Sequence, residues 1–164
     1  MAPRFERAIR ALSDAQLEFV IIGGFSAILH GSAHVTLDLN IVYSRNQENL
    51  KRLAAALAPL HPRPDGLPAS LPFVWDETTL ANGTLFTLTS DLGRIDLMAE
   101  VSGLGSFSEI WAGSVEVELY GCKVRNLSLT DLLRSKRAAG RLKDLQVIPE
   151  LESILEALER GHTE

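Results

Sequence analysis

Gly23-Gly24-Phe25-Ser26-Ala27-Ile28-Leu29-His30-Gly31-Ser32-Ala33-His34-Val35-Thr36-Leu37-Asp38-Leu39-Asn40 is the stretch of sequence that decides the fold. A glycine pair opens it, a short apolar run and a second glycine turn follow, and polar residues that alternate with leucines end it. Because strand side chains project to opposite faces in turn, Asp38 and Asn40 point the same way and Leu39 points the other. Hard cations such as Mg²⁺ bind carboxylate oxygens together with substrate phosphates. The stretch therefore indicates a metal–nucleotide site beside a glycine turn, with Asn40 in the place of a second aspartate.

The segments around this stretch alternate between strands and helices. Apolar residues at helical spacing predict helices, and short β-branched runs predict strands. Residues 59–72 contain five prolines and are predicted to be an excursion loop, since neither side of it looks complete alone. This order predicts an α/β (α+β) fold in one domain, residues 1–164. The predicted helices are 4–14, 25–29, 46–58 and a helical part that begins at Ser128, and the predicted strands are 18–22, 37–42, 84–89, 93–98, 115–119 and 123–127.

Two later segments carry residues of chemical interest. Asp96 lies on a predicted strand between apolar neighbours, where a lone carboxylate is costly to bury unless it is paired or bound to a metal. An exposed strand face is the ordinary alternative. Residues 123–143 contain seven basic residues and a single acid, Asp131. This asymmetry predicts a positive surface, for which a solvated helix face is the ordinary alternative.

The composition is that of a globular protein. The 164 residues are 46% apolar and 23% charged, and the formal net charge of −5 provides no overall basic field for nucleic acid. The only cysteine, Cys122, excludes an internal disulfide and a cysteine-cluster zinc site. No apolar run is long enough to cross a bilayer, and the charged N-terminal sequence does not resemble a signal peptide. We therefore expect a cytoplasmic protein without a membrane partner.

Together, these motifs resemble the minimal nucleotidyltransferases of the DNA polymerase β-like superfamily, and among them the AbiE-type toxin nucleotidyltransferases. The resemblance covers residues 18–150 and implies a nucleotidyltransferase fold, in which helices flank a mixed β-sheet and an NTP substrate lies at the glycine turn. The motifs that carry it are the glycine pair with its short helix, Thr36-Leu37-Asp38-Leu39-Asn40, the strand Arg94-Ile95-Asp96-Leu97, and the tail from Ser135-Lys136-Arg137 to Lys143-Asp144.

The resemblance also implies roles for individual residues. Three carboxylates of the family hold two Mg²⁺ (or Mn²⁺) ions about 3.5–4 Å apart for in-line attack on the α-phosphate, and they correspond to Asp38, Asn40 and Asp96. Asp38 is expected to bridge the ions. Asp96 is expected to hold the ion on the nucleophile side and to accept the proton of the attacking hydroxyl. The residues expected near the triphosphate are Gly23, Gly24, Ser26, Lys136 and Lys143, with Asp144 orienting one of the lysines.

Two residues depart from the family pattern. His34 lies where an arginine is common, and Asn40 removes one negative charge from a site that balances two dications, so metal affinity and turnover are expected to fall. Two functions therefore stay open. The first is transfer of a nucleoside monophosphate to a hydroxyl acceptor, either a tRNA bound through residues 123–143 in a toxin with an antitoxin partner, or a small molecule such as an antibiotic. The second is a catalytically degenerate domain that binds a nucleotide or a partner protein.

Overall fold

A seven-stranded mixed sheet lies at the centre of the computed structural model, which describes residues 3–163. The strand order is β3-β4-β5-β2-β1-β7-β6. The pairs β2–β5 and β1–β7 are parallel, and all other neighbours are antiparallel. The strands are β1 (Phe19–Ile22), β2 (Asp38–Tyr43), β3 (Arg63–Pro64), β4 (Leu85–Ser90), β5 (Gly93–Met98), β6 (Val115–Leu119) and β7 (Cys122–Asn126).

Helices cover both faces of this sheet. Polar side chains define where several of them begin: the Asn46 side chain accepts a hydrogen bond from the Asn49 amide, and the Ser128 hydroxyl accepts one from the Asp131 amide. The helices are α1 (Pro3–Asp14), α2 (Gly23–Leu29), α3 (Gln47–Leu57), α4 (Glu77–Asn82), α5 (Phe107–Gly113), α6 (Leu129–Ala139) and α7 (Leu142–Thr163).

The sheet separates two apolar clusters. Leu39 and Ile41 of β2 pack in the first cluster with residues of α1 and α3, whereas Val42 packs in the second with residues of α6 and α7. Because alternate residues of a strand share a face, Asp38 and Asn40 lie on the same face as Val42. The polar residues of β2 therefore occupy the end of the face that α6 and α7 cover.

The predicted mixed sheet with flanking helices is confirmed, and so are the predicted strands and long helices to within two residues at most boundaries. Two short helices, α4 and α5, lie in segments for which no helix was predicted. The predicted loop 59–72 begins inside a short 3₁₀ turn, Ala58–Leu60, and contains the edge strand β3, so part of it belongs to the sheet. Among the described helices, none is both long and apolar enough to cross a membrane.

Candidate active site

Parallel pairing of β2 with β5 brings the polar residues of two distant segments together. Asp38 pairs with Arg94, and Asn40 pairs with Asp96. Residues opposite each other on neighbouring strands share a face and lie close together. The three positions expected to carry metal ligands, Asp38, Asn40 and Asp96, are therefore adjacent on one face of the sheet.

The Arg94 guanidinium lies among three carboxylates. Its Nε is 3.8 Å from Asp38 Oδ2 and 3.5 Å from Asp96 Oδ1, and its Nη1 is 3.5 Å from Asp65 Oδ2. Asp96 is buried, and this burial raises the pKa of its carboxyl, an effect that the charge of Arg94 opposes and the charge of Asp38 reinforces. Arg94 was not predicted as a site residue, although its spacing two residues before Asp96 places both side chains on one face.

The glycine pair brings bare backbone up to β2. Gly23 has φ +68°, and a Cβ there would lie 2.7 Å from Asn40 Nδ2. A Cβ at Gly24 would lie 3.1 Å from Thr36 Oγ1. A side chain at position 23 would therefore collide with Asn40, which explains why the turn into α2 requires glycine. Ser26 lies one helical turn further on and is fully buried, and its hydroxyl has no partner among the described residues.

The junction of α6 and α7 contributes a buried carboxylate with two cationic partners. Asp144 is 1% exposed, and its carboxylate accepts hydrogen bonds from Lys136 Nζ at 3.3 Å and from Arg141 Nε at 2.6 Å. Burial alone would raise the pKa of Asp144, but the bonds from Arg141 and Lys136 and their charges together lower it. These contacts hold the Lys136 side chain beside Asp144.

Glu150 of α7 holds the loop between α2 and β2. Its carboxylate accepts hydrogen bonds from the Ser32 hydroxyl at 2.5 Å and the Ala33 amide at 3.0 Å, and His34 Nδ1 lies 3.0 Å from it. These hydrogen bonds lower the pKa of Glu150. No sequence spacing indicated this contact, because more than 110 residues separate its two sides.

A cleft of about 970 Å³ opens between these elements. Ser26 and Asp96 are not among the residues on its wall; Asp96 lies beside Asn40, which is on the wall. Cleft residues that were not predicted to form the site include the acidic Glu100 and the apolar Val35 and Leu85, both well exposed. The predicted site residues that line the cleft are Gly23, Gly24, Asp38, Asn40, Lys136, Lys143 and Asp144.

The oxygen atoms at this site allow a test of whether it suits a divalent cation. Asn40 Oδ1 and Asp96 Oδ1 are buried and accept no hydrogen bond from the described residues. Such oxygens are suitable ligands for Mg²⁺ or Mn²⁺, and at Asp96 Oδ1 an ion would share the carboxylate with Arg94, whose Nε lies 3.5 Å away. The described side chains include no group of three or more His, Cys, Asp or Glu placed to hold a metal ion. Asp38, Asn40 and Asp96 therefore fit one oxygen-liganded cation, although they do not form a site of three carboxylates.

The predicted positive surface at residues 123–143 is largely neutralised by ion pairs. Arg134 pairs with Asp131, Arg137 pairs with Glu152, and Lys136 and Arg141 share Asp144. On β7, Lys123 and Arg125 lie opposite glutamates of β6 in the strand register. Arg125 also stacks over the Trp111 ring, with its guanidinium carbon 5.2 Å from the ring centroid. Most of this basic charge is therefore balanced within the protein.

Comparison with solved structures identifies proteins of the same fold. A lincosamide antibiotic adenylyltransferase, LnuA, solved with lincomycin bound, is 13% identical with a TM-score of 0.62, and the match covers 94% of this chain and 98% of that chain. A candidate nucleotidyltransferase from Thermotoga maritima is 16% identical with a TM-score of 0.56, and the match covers 98% of this chain and 96% of that chain. No protein-family model and no curated protein matches the sequence. At these identities the likeness establishes a nucleotidyltransferase fold.

Proposed function

We propose that this protein transfers a nucleoside monophosphate from an NTP to a hydroxyl acceptor, with a divalent cation in the cleft. One observation carries the proposal: Asp38, Asn40 and Asp96 lie side by side on β2 and β5, next to the bare glycine backbone at the start of α2. In the reaction, the acceptor oxygen bonds to the α-phosphorus, the bond from that phosphorus to the leaving pyrophosphate breaks, and the acceptor hydroxyl loses its proton.

Each part of the cleft has a role in this reaction. Asp38, Asn40 and Asp96 would hold Mg²⁺ or Mn²⁺, which when bound polarises the phosphate and neutralises charge that develops on it. Gly23 and Gly24 let the backbone at the start of α2 lie against Asn40 and Thr36, and the backbone amides there would donate hydrogen bonds to the triphosphate. Lys136, held by Asp144, and Lys143 line the cleft and would contact the phosphates. Asp96, which lies beside Asn40 of the cleft wall, would accept the proton of the hydroxyl.

A small hydroxylated molecule is the acceptor that the cleft favours. Val35 and Leu85 expose 87% and 60% of their surface at its wall, which provides apolar contact for a compact organic substrate. The adenylyltransferase of similar fold acts on a lincosamide antibiotic, in keeping with a substrate of this kind. An RNA acceptor is less favoured because the basic segment is neutralised internally. A toxin role with an antitoxin partner would accompany that RNA alternative.

Release of pyrophosphate is the reaction to measure. Wild-type protein, Asn40→Asp and Asp38→Asn would each be incubated with Mg²⁺ or Mn²⁺, every NTP in turn, and either a panel of small alcohols and lincosamides or total RNA. We expect release that depends on an acceptor, rises at least tenfold in Asn40→Asp and disappears in Asp38→Asn. Equal release from wild type and Asp38→Asn would contradict the proposed site, and labelled RNA without labelled small molecules would favour the RNA alternative.

A second candidate function is nucleotide binding without transfer. The neutral Asn40 and the contacts of Arg94 with Asp38 and Asp96 favour it, because both reduce the negative charge available to a metal ion. Calorimetry would then detect NTP binding while no pyrophosphate appears with any acceptor. Acceptor-dependent release from the unmodified chain would exclude this candidate.

A further inference from the structure

We propose that the Arg94 guanidinium, which lies beside the carboxylates of Asp38 and Asp96, takes the place of one of the two divalent ions. The site would then bind one ion. This inference rests on the proposed function, since it concerns the same site. It assigns a role to a residue that the motif pattern leaves without one. The consequence is a one-ion nucleotide site whose remaining positive charge is supplied by the protein.

The position of the guanidinium supports this assignment. Arg94 Nε lies within 3.8 Å of Asp38 Oδ2 and 3.5 Å of Asp96 Oδ1, so a single positive group contacts both carboxylates that would otherwise face a metal ion. Asp38 and Asp96 are not directly opposite each other in the strand register, but Arg94 pairs with Asp38 and precedes Asp96 by two residues. Its backbone position therefore directs its side chain along the line between them.

The charge of the site leads to the same conclusion. Asp38 and Asp96, the two carboxylates that would face a metal ion, supply two negative charges, and Asn40 supplies none. The positive charge of Arg94 is shared by these two carboxylates and that of Asp65. A site with aspartate at position 40 and no guanidinium would have three negative charges to balance two dications. Because like charges repel at short range, a guanidinium beside Asp38 and Asp96 opposes entry of a second dication.

Asp65 keeps the guanidinium in place independently of the metal ligands. Arg94 Nη1 lies 3.5 Å from Asp65 Oδ2, and the Asp65 amide donates a 2.8 Å hydrogen bond to the carbonyl of Thr87 on β4. Asp65 is thus anchored to the sheet and contacts the opposite end of the guanidinium. The half-exposed Arg94 side chain therefore has a third carboxylate contact, in addition to those with Asp38 and Asp96.

Binding of Mn²⁺ alone, measured by loss of the paramagnetic resonance signal of the free ion, tests the inference. We expect at most one ion per wild-type chain, an affinity at least tenfold higher in Arg94→Gln, and a second ion in the double variant Arg94→Gln with Asn40→Asp. Arg94→Lys retains the charge and should bind no more tightly than wild type. Arg52→Gln removes one positive charge from a surface pair with Glu48 and serves as the matched control.

Unchanged or weaker Mn²⁺ binding in Arg94→Gln, or no binding in either protein, would overturn the inference. If Arg94→Gln fails to fold, the wild type still decides, because two ions bound per wild-type chain in the presence of ATP would also overturn it. The assay needs no acceptor and no turnover. Tighter Mn²⁺ binding in Arg94→Gln without pyrophosphate release would therefore support the inference on Arg94 while the transfer proposal fails. Pyrophosphate release from the wild type with unaltered Mn²⁺ binding in Arg94→Gln would support the transfer proposal and overturn the inference.

Discussion

Asn40 lies against the glycine backbone at the start of α2. A Cβ at Gly23 would lie 2.7 Å from Asn40 Nδ2, so a side chain at position 23 and the present position of the amide are incompatible. The identity of residue 23 therefore controls where the residue at position 40 places its polar group. The effects of substitutions at positions 23 and 40 are therefore expected to depend on each other.

Gly23→Ala should lower the free energy of unfolding by about 2–4 kcal/mol, because it combines left-handed backbone strain with overpacking against Asn40. Gly140→Ala is a matched control: its φ of +65° is close to the +68° of Gly23, and the nearest atom to its Cβ would be 3.7 Å away. The control should lose only the strain term, about 1–2 kcal/mol. Urea unfolding measures both variants. Equal losses of unfolding free energy would show that overpacking against Asn40 does not destabilise Gly23→Ala.

At the scale of elements, α6 and α7 are joined by the buried Asp144 and its two cationic partners. Asp144→Asn should destabilise the protein by about 1–3 kcal/mol, since it leaves Lys136 without a charged partner while Arg141 regains solvent. Glu152→Gln removes an exposed pair with Arg137 between the same helices and should cost less than about 1 kcal/mol. Chemical unfolding measures the free energy of unfolding of both variants. Similar losses in the two would show that the buried contacts of Asp144 stabilise the protein no more than the exposed pair does.

The same contact predicts a dependence of stability on pH. The pKa of Asp144 is lower in the folded protein than its ordinary value of about 3.9, so the unfolded chain binds more protons at this residue as the pH falls. The stabilisation is therefore complete above about pH 4 and is lost as the pH falls through the folded pKa. The difference in unfolding free energy between wild type and Asp144→Asn should shrink below about pH 4. A difference that grows on acidification would contradict this.

The loop between α2 and β2 depends on Glu150 of α7 for its position. Glu150→Gln removes the charge that accepts hydrogen bonds from Ser32, Ala33 and His34, so amide hydrogen exchange at residues 32–34 should accelerate with little change in global stability. The control Glu152→Gln, on the same helix, should leave exchange in this loop unchanged. Unaltered exchange in Glu150→Gln would show that the loop is held by its backbone alone.

The sequence allowed prediction of those elements whose patterns are local. The apolar spacing in α1 and α3, the β-branched run of β1, and the cap at Ser128 each decide an element with little help from distant residues. Helices α4 and α5 were missed because they have six and seven residues, too few to show a full amphipathic pattern, whereas the equally short α2 was predicted from an apolar run between two glycine turns. Edge strand β3 contains a proline and is defined by its pairing with β4 rather than by its own residues.

Only those features of the site that depend on local sequence patterns were predictable. Asp38 and Asn40 share a face of β2 because they are alternate residues of a strand, and Arg94 and Asp96 share a face of β5 for the same reason. That these strands are neighbours, and that Arg94 lies between their carboxylates, depends on the register of β2 with β5. Ser26 is buried because α2 turns that side toward the core, which a seven-residue helix does not reveal in its sequence.

At the scale of the whole molecule, the net charge of −5 and the paired basic segment predict weak binding to RNA. Of the seven basic residues in 123–143, Lys123 and Lys143 are the two without an ion pair or ring contact among the described side chains, although Lys123 lies opposite Glu118 in the strand register. With about two phosphates neutralised, the slope of log K against log salt should be about −1 to −2. Filter binding of tRNA over a range of salt concentrations measures it, and a slope of about −5 or steeper would contradict the prediction.

The central claim, that Asp38, Asn40 and Asp96 form a cation-assisted nucleotide site in this cleft, is tested most directly by calorimetric titration of the wild-type chain with each NTP in the presence and absence of Mg²⁺. We predict that at least one NTP binds at one site per chain, that Mg²⁺ strengthens this binding, and that Asp38→Asn removes the effect of Mg²⁺. Absence of binding by all four NTPs, or binding that Mg²⁺ and Asp38→Asn leave unchanged, would contradict it.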